Sequence, residues 1–170
     1  DEGYDFLALT DHFVGCYGYP IVDTVPFRTN AFTTILGAEL HSGAMENGEL
    51  WHLLAVGLPP DFAPSDSPDF FPNEGQESGP ALAARAVAAG AFVAVAHPQW
   101  SGLTLRDAKS IAAAHAVEIY NHGCAVGCDR PDGCSIADLL LAEGRKVNVI
   151  ATDDAHFYEP DHFGGWVMVK

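Results

Sequence analysis

Ala91–Ala96 (AFVAVA) runs without a break into His97-Pro98, and Lys146–Ala151 (KVNVIA) runs into Thr152-Asp153-Asp154-Ala155-His156. Each stretch is short and almost wholly apolar, as a strand covered on both faces requires, and each ends in side chains that bind protons or metals. The same grammar recurs on either side. Tyr4–Thr10 (YDFLALT) reads as a strand ending at Asp11-His12, and Thr33–Leu40 (TTILGAEL) as one ending near Glu39. Ala116–Tyr120 (AVEIY) leads to Asn121-His122, and Leu50–Leu58 (LWHLLAVGL) carries His52 inside it. Gly165–Val169 is expected to open a last strand.

Between these runs lie helical patterns. Pro80–Ala89 is alanine-rich and stopped by Gly90, Thr104–Ala114 starts on a good N-cap, and Ser135–Glu143 is amphipathic with Gly144 after it. Residues Pro59–Gly79, rich in Pro, Asp, Ser and Phe, read as a long surface loop of the kind often used as a lid. Alternating strands and helices predict an α/β domain with a parallel sheet, whose carboxyl edge collects the functional groups. His12, Glu39, His97, Asn121, Asp154 and His156 all fall at that edge. One histidine there would mean little, but six residues on one edge point to a shared site.

The chain has 170 residues, 48% of them hydrophobic, which is one domain's worth with a substantial core. No apolar run approaches the ~20 residues of a membrane span. No basic segment followed by an apolar one opens the chain, so a cytoplasmic protein without a membrane partner is expected. Eight Lys and Arg stand against 23 Asp and Glu, a formal charge of −15. That balance repels phosphate backbones and argues against non-specific nucleic-acid binding. Cys16, Cys124, Cys128 and Cys134 match no zinc-finger spacing and are read as unpaired thiols, ahead of a local disulfide or a metal site.

Imidazoles and carboxylates together suit Zn²⁺, Mn²⁺ or Fe better than Mg²⁺ or Ca²⁺. A carboxylate such as Glu39 has lone pairs on two oxygens and can bridge two ions. Closely spaced ions clamp a phosphoryl group for in-line attack by an activated water, so metals would answer how an acidic protein binds an anion. Taken singly, His12 and His97 suit ordinary turn positions, whereas His52 lies within an apolar strand and needs a partner or a metal. His115 is expected at a helix end facing solvent. His41, His122 and His162 read as loop residues near the site. Asp5, Asp23, Asp61 and Asp66 read as solvated acids.

Six segments together resemble the PHP (polymerase and histidinol phosphatase) domain family. They are Leu9-Thr10-Asp11-His12, Gly37-Ala38-Glu39, Trp51-His52-Leu53-Leu54, Ala96-His97-Pro98, Glu118-Ile119-Tyr120-Asn121 and Thr152-Asp153-Asp154-Ala155-His156. They occur in the family's order and span nearly the whole chain as a single PHP-like domain, 1–170. The resemblance implies a distorted seven-stranded (β/α) barrel with two or three divalent ions at the strand ends.

Carried over position by position, Glu39 resembles the bridging carboxylate and His52 and His97 its companions on one metal. His12 and His156 resemble ligands of a second metal, and Asp154 the carboxylate of a third. Asp11 and Asp153 fall beside these ligands as supporting acids, and Asn121 as a pocket-lining residue. The family's opening His-x-His strand and first helix have no counterpart here. The resemblance therefore implies a domain truncated before Asp1-Glu2-Gly3-Tyr4 and ending without the helix that usually follows its last strand. It also implies an incomplete second and third metal site, and exposed sheet edges that favour association.

The function this implies is a metal-dependent hydrolase, foremost a phosphoesterase acting on a small phosphomonoester or a nucleotide-like phosphodiester through a metal-activated water. The alternatives are hydrolysis of a non-phosphate (C–N) bond and a non-catalytic metal-binding module.

Overall fold

The computed structural model describes residues 2–169. It is a mixed α/β fold built on a curled, half-barrel sheet. Strands β1 (Phe6–Leu9), β3 (Thr33–Ala44), β4 (Leu50–Val56), β5 (Phe92–Val95), β6 (Ala116–Asn121) and β7 (Asn148–Thr152) lie side by side in that order. The two-residue β2 (His12–Phe13) also pairs with β3, so β1 and β2 act as one edge strand broken at Thr10-Asp11. The path begins at β1 and ends at β7, and it does not close into a full barrel.

Every neighbouring pair is parallel except β3–β4 and β4–β5, which makes β4 the one reversed strand on the path. The expectation of a purely parallel sheet is corrected here. The physical reason is the connection: Met45–Glu49 forms a tight turn, Met45 N–H donating to Glu49 O at 2.8 Å. Five residues cannot carry a crossover, so the chain must double back. The reversal also explains His52. Near the amino end of an antiparallel strand, it lies level with the carboxyl ends of its neighbours, and its carbonyl accepts from Ala96 N–H just before His97.

One face of the sheet is apolar: Ala38, Leu40, Leu53, Ala55, Val93, Val95 and Val117 are buried. Against it pack α1 (Gly79–Ala88) through Leu82, Ala83 and Ala86, α3 (Leu105–Ser110) through Ala108, and α5 (Cys134–Ala142) through Ile136, Ala137 and Leu140. Helix α1 starts where Ser78 Oγ accepts from Ala81 N–H with Pro80 in the first turn, and Gly90 beyond its end takes φ +96°. A reciprocal capping box between Thr104 and Asp107 opens α3.

Helix α3 ends at Ser110, short of the expected Ala114. The Arg145 guanidinium accounts for this by donating to the carbonyls of Ala108, Ile111 and Ala114 and so satisfying the helix end early. Two short helices were not anticipated: α2 (Pro98–Ser101), starting directly after His97, and α4 (His122–Cys128), capped by Asn121. Residues 165–169 form no strand, correcting that expectation; Asp153 instead holds the backbone N–H groups of Phe163, Gly164 and Gly165 in a turn. No helix among the described residues is long and apolar enough to cross a membrane. All four cysteines are free thiols.

Candidate metal centre

Side chains alternate along β3, so Ala38 and Leu40 entering the core forces Glu39 and His41 onto the opposite face. The register then assembles the cluster. His12 on β2 stands level with Glu39, and His52 on β4 stands opposite His41. His97, just past β5, adopts φ 25°, an uncommon conformation for a residue with a Cβ, which turns its ring back toward the cluster.

Glu39 is the centre of the site. Only 4% exposed, its carboxylate meets three imidazoles: Oε1 lies 2.7 Å from His52 Nδ1 and 3.2 Å from His97 Nε2, and Oε2 lies 2.8 Å from His12 Nδ1. The fully buried His41 adds a fourth, its Nε2 lying 3.0 Å from His12 Nδ1. Two groups therefore have donor atoms close enough to share an ion: Glu39, His52 and His97, and His12, Glu39 and His41.

Electrostatics follow from this crowding. Burial alone would raise the Glu39 carboxyl, but the His12, His52 and His97 imidazoles hold it well below the usual carboxylate range. Burial opposes a charge on His97, yet Glu39 outweighs it and lifts that imidazole to about 9. His12 is also raised, burial being overcome by its contact with Glu39. His52 is lowered because burial prevails there, and His41 falls to about 3, chiefly through burial. His41 is therefore a neutral imidazole, the form that binds metals.

The other expected residues take distinct places. His156 lies on the rim, its Nε2 3.4 Å from Nε2 of His12 and its Nδ1 2.9 Å from the carbonyl of Asp154. Asp154, at φ 52°, turns its carboxylate toward the cleft, where Oδ2 accepts from Asn121 at 3.1 Å. Burial raises its pKa, with Glu39 adding to the effect. Asn121 also donates to Glu118 and caps α4 by accepting from Cys124 N–H, so it joins three elements rather than merely lining a pocket. Asp153 holds the 163–165 turn. Asp11 departs from its expected supporting role. It is exposed, and it ties to the site through its backbone carbonyl, which accepts from Glu39 N–H at 2.9 Å.

Three further corrections concern histidines. His122, read as a loop residue, opens α4 with its Nδ1 3.0 Å from the Tyr120 hydroxyl. His41 belongs to a strand and is buried, not to a loop. His115 is not at a helix end. It precedes β6, stacks on Phe92, and accepts the N–H of Val93 through Nδ1.

The principal residue not anticipated is Glu118, 1% exposed. One carboxylate oxygen accepts from the backbone N–H of His97 at 2.5 Å and from Asn121 Nδ2 at 3.1 Å, and the other from the Thr152 hydroxyl. It thereby joins the ends of β5, β6 and β7 behind the histidines. An acid centred in the apolar run AVEIY was the available signal, because a carboxylate there must be partnered.

The site opens into a cleft of about 520 Å³. Phe70 packs edge-on against His12, and Trp100 of α2 packs against His52 and His97. Phe70 comes from the long loop, which is tied down: Gly15 and Cys16 donate to the carbonyls of Ser67 and Pro68, and Arg85 donates to those of Ala63 and Pro64. Gly123, Cys124 and Cys128 of α4 also line the cleft.

Imidazole nitrogens and carboxylate oxygens converging on one buried point are the donor set of a borderline first-row ion. The donor set fits a metal centre. No protein-family model and no curated protein matches the chain.

Proposed function

We propose that this chain forms the metal-binding core of a PHP-type hydrolase that cleaves a small phosphate ester. One observation carries the reading: a buried carboxylate, Glu39, presents one oxygen to His52 and His97 and the other to His12. Four titratable groups in mutual contact are costly to bury, and a divalent ion shared between them offsets that cost.

Glu39, His52 and His97 would hold one ion, and Glu39 with His12 a second. Zn²⁺, Mn²⁺ or Fe bound there would lower the pKa of water and offset charge developing on a phosphoryl group. The protein's own contribution is positioning. Glu118 fixes the backbone of His97, Ser101 Oγ lies 3.0 Å from its Nδ1, and Asn121 aims the Asp154 carboxylate at the cleft. Phe70 packs against His12 and Trp100 against His52 and His97 along the cleft.

The test is turnover of phosphomonoesters and nucleotide phosphodiesters with added Mn²⁺, Fe²⁺ or Zn²⁺. The reading requires metal-dependent activity that His97→Ala abolishes. Absence of turnover with every metal, or an unaffected His97→Ala variant, overturns it.

A second reading is favoured by one specific feature. Among the described residues, those lining the cleft include Glu49, Asp154, Glu159 and Asp161 but neither Lys nor Arg. A phosphate would be met by ions alone, so the same centre also suits a neutral substrate with a hydrolysable C–N bond. Competitive inhibition by inorganic phosphate separates the two, being expected for the phosphoesterase and not for the C–N hydrolase.

A further inference from the structure

We infer that the second ion is held by Glu39 Oε2, His12 Nδ1 and His41 Nε2, with His156 behind His12 as a hydrogen-bond partner instead of a ligand. This rests on the metal-centre reading above and specifies which nitrogens serve it.

The two rings of His12 and His156 approach through Nε2 of each, 3.4 Å apart, whereas His12 turns its Nδ1 to Glu39 at 2.8 Å and to His41 at 3.0 Å. A neutral imidazole has one lone pair to give, on one nitrogen. The nitrogen His12 directs into the buried cluster is Nδ1.

Proton counting shows why hydrogen bonds alone serve this corner poorly. An ionised Glu39 only accepts, so His12 Nδ1 must carry the proton in their contact. His41 Nε2 must then accept the same N–H, which puts the single ring N–H of His41 on Nδ1. That nitrogen is fully buried and has no partner. One shared proton and one orphaned donor are left where an apolar side chain at position 41 would leave neither.

A divalent ion removes the shared proton, because lone pairs from Glu39 Oε2, His12 Nδ1 and His41 Nε2 would each be used, while the His41 proton stays on Nδ1. Ligand atoms each ~2.1 Å from one ion stand about 3 Å apart when they subtend roughly a right angle, close to the separations seen. His12 would then carry its proton on Nε2 and offer it to His156, the outer hydrogen bond that orients a ligating imidazole. At the Glu39–His52–His97 corner both imidazole nitrogens face Oε1, and an ion there would likewise take their lone pairs in place of protons.

Elemental analysis of the whole chain loaded with Zn²⁺ and desalted tests the assignment. The wild type is expected to hold two ions, His41→Ala and His41→Phe one each, and His156→Ala two. Two ions in the His41 variants, or one in His156→Ala, overturns it. No ion in the wild type would instead remove the metal-centre reading itself.

The Phe variant refills the buried space, and its circular dichroism reports folding. Should both His41 variants unfold, heteronuclear NMR on ¹¹³Cd-loaded, ¹⁵N-histidine-labelled wild type decides. Cadmium coupling to His12 Nδ1 and His41 Nε2 supports the assignment, and coupling to His12 Nε2 and His156 overturns it.

Discussion

The carboxylate of Glu118 accepts the backbone N–H of His97 at 2.5 Å, and this bond holds a histidine of the Glu39 cluster in a backbone conformation that few residues adopt. Its other oxygen reaches the Thr152 hydroxyl at the end of β7. Glu118 therefore positions His97 without touching what His97 would bind.

Removing that support should weaken ion binding before it unfolds the domain. Glu118→Ala is expected to lower affinity at the Glu39–His52–His97 corner by about 10–100-fold, the usual cost of losing an outer hydrogen bond to a ligand. Glu118→Gln retains an acceptor for His97 and should recover part of the loss. Calorimetric titration with Zn²⁺ measures both, and wild-type affinity in Glu118→Ala would refute the role.

Ion binding should stabilise the fold by mass action. At free Zn²⁺ near a hundred times Kd, the gain is about 2.7 kcal/mol. For a domain of this size that corresponds to a Tm rise of roughly 5–10 °C. Differential scanning of chelator-treated protein, with and without added metal, gives the comparison; identical Tm values would contradict it.

The metal-free protein should show a window of maximal stability. His97 has its folded pKa raised to about 9, so its contribution is complete below the ordinary histidine value and is lost as pH rises through 9. Glu39 has its folded pKa lowered, so its contribution is complete above the ordinary carboxylate value and is lost as pH falls below it. Buried His41 and His52 have folded pKa values lowered below the ordinary histidine value, so stability also falls as pH drops below it, and the maximum is expected at about pH 6.5 with a decline toward pH 9. Denaturant melts in chelator across pH 4–10 check this, and a curve still rising from pH 7 to 9 would count against the Glu39–His97 pairing.

Arg85 should govern the loop that carries Phe70. It donates to the carbonyls of Ala63 and Pro64, pairs with Glu77 at 2.8 Å, and lies over the Phe62 ring. Arg85→Met keeps much of the apolar stem and removes the donors, so hydrogen exchange across residues 59–78 is expected to speed up several-fold while the sheet is unchanged. Exchange confined to its wild-type rate would show the loop to be held by other contacts.

The places of the strands and the positions of His97 and Asp154 just past β5 and β7 were legible in the sequence because they depend on local signals, whereas Glu39, expected at a strand end, lies within β3, which continues to Ala44. An apolar run of strand length, ended by a turn, shows where a chain leaves a sheet, and a capping residue such as Ser78 or Thr104 shows where a helix starts. Glu118 left only a partial sign, an acid within an apolar run, and nothing in the run reveals which backbone amide it serves.

Tertiary structure alone decided the direction of β4 and the company each donor atom keeps. His41 meets His12 across 29 residues and Glu39 meets His97 across 58, and those meetings depend on strand register, not on sequence neighbours. A shift of one residue would turn Glu39 and His41 into the core and Leu40 into the cleft. The sequence by itself determined which side chains could bind a metal; only the folded register determined that His41 is among them and which nitrogen His12 presents.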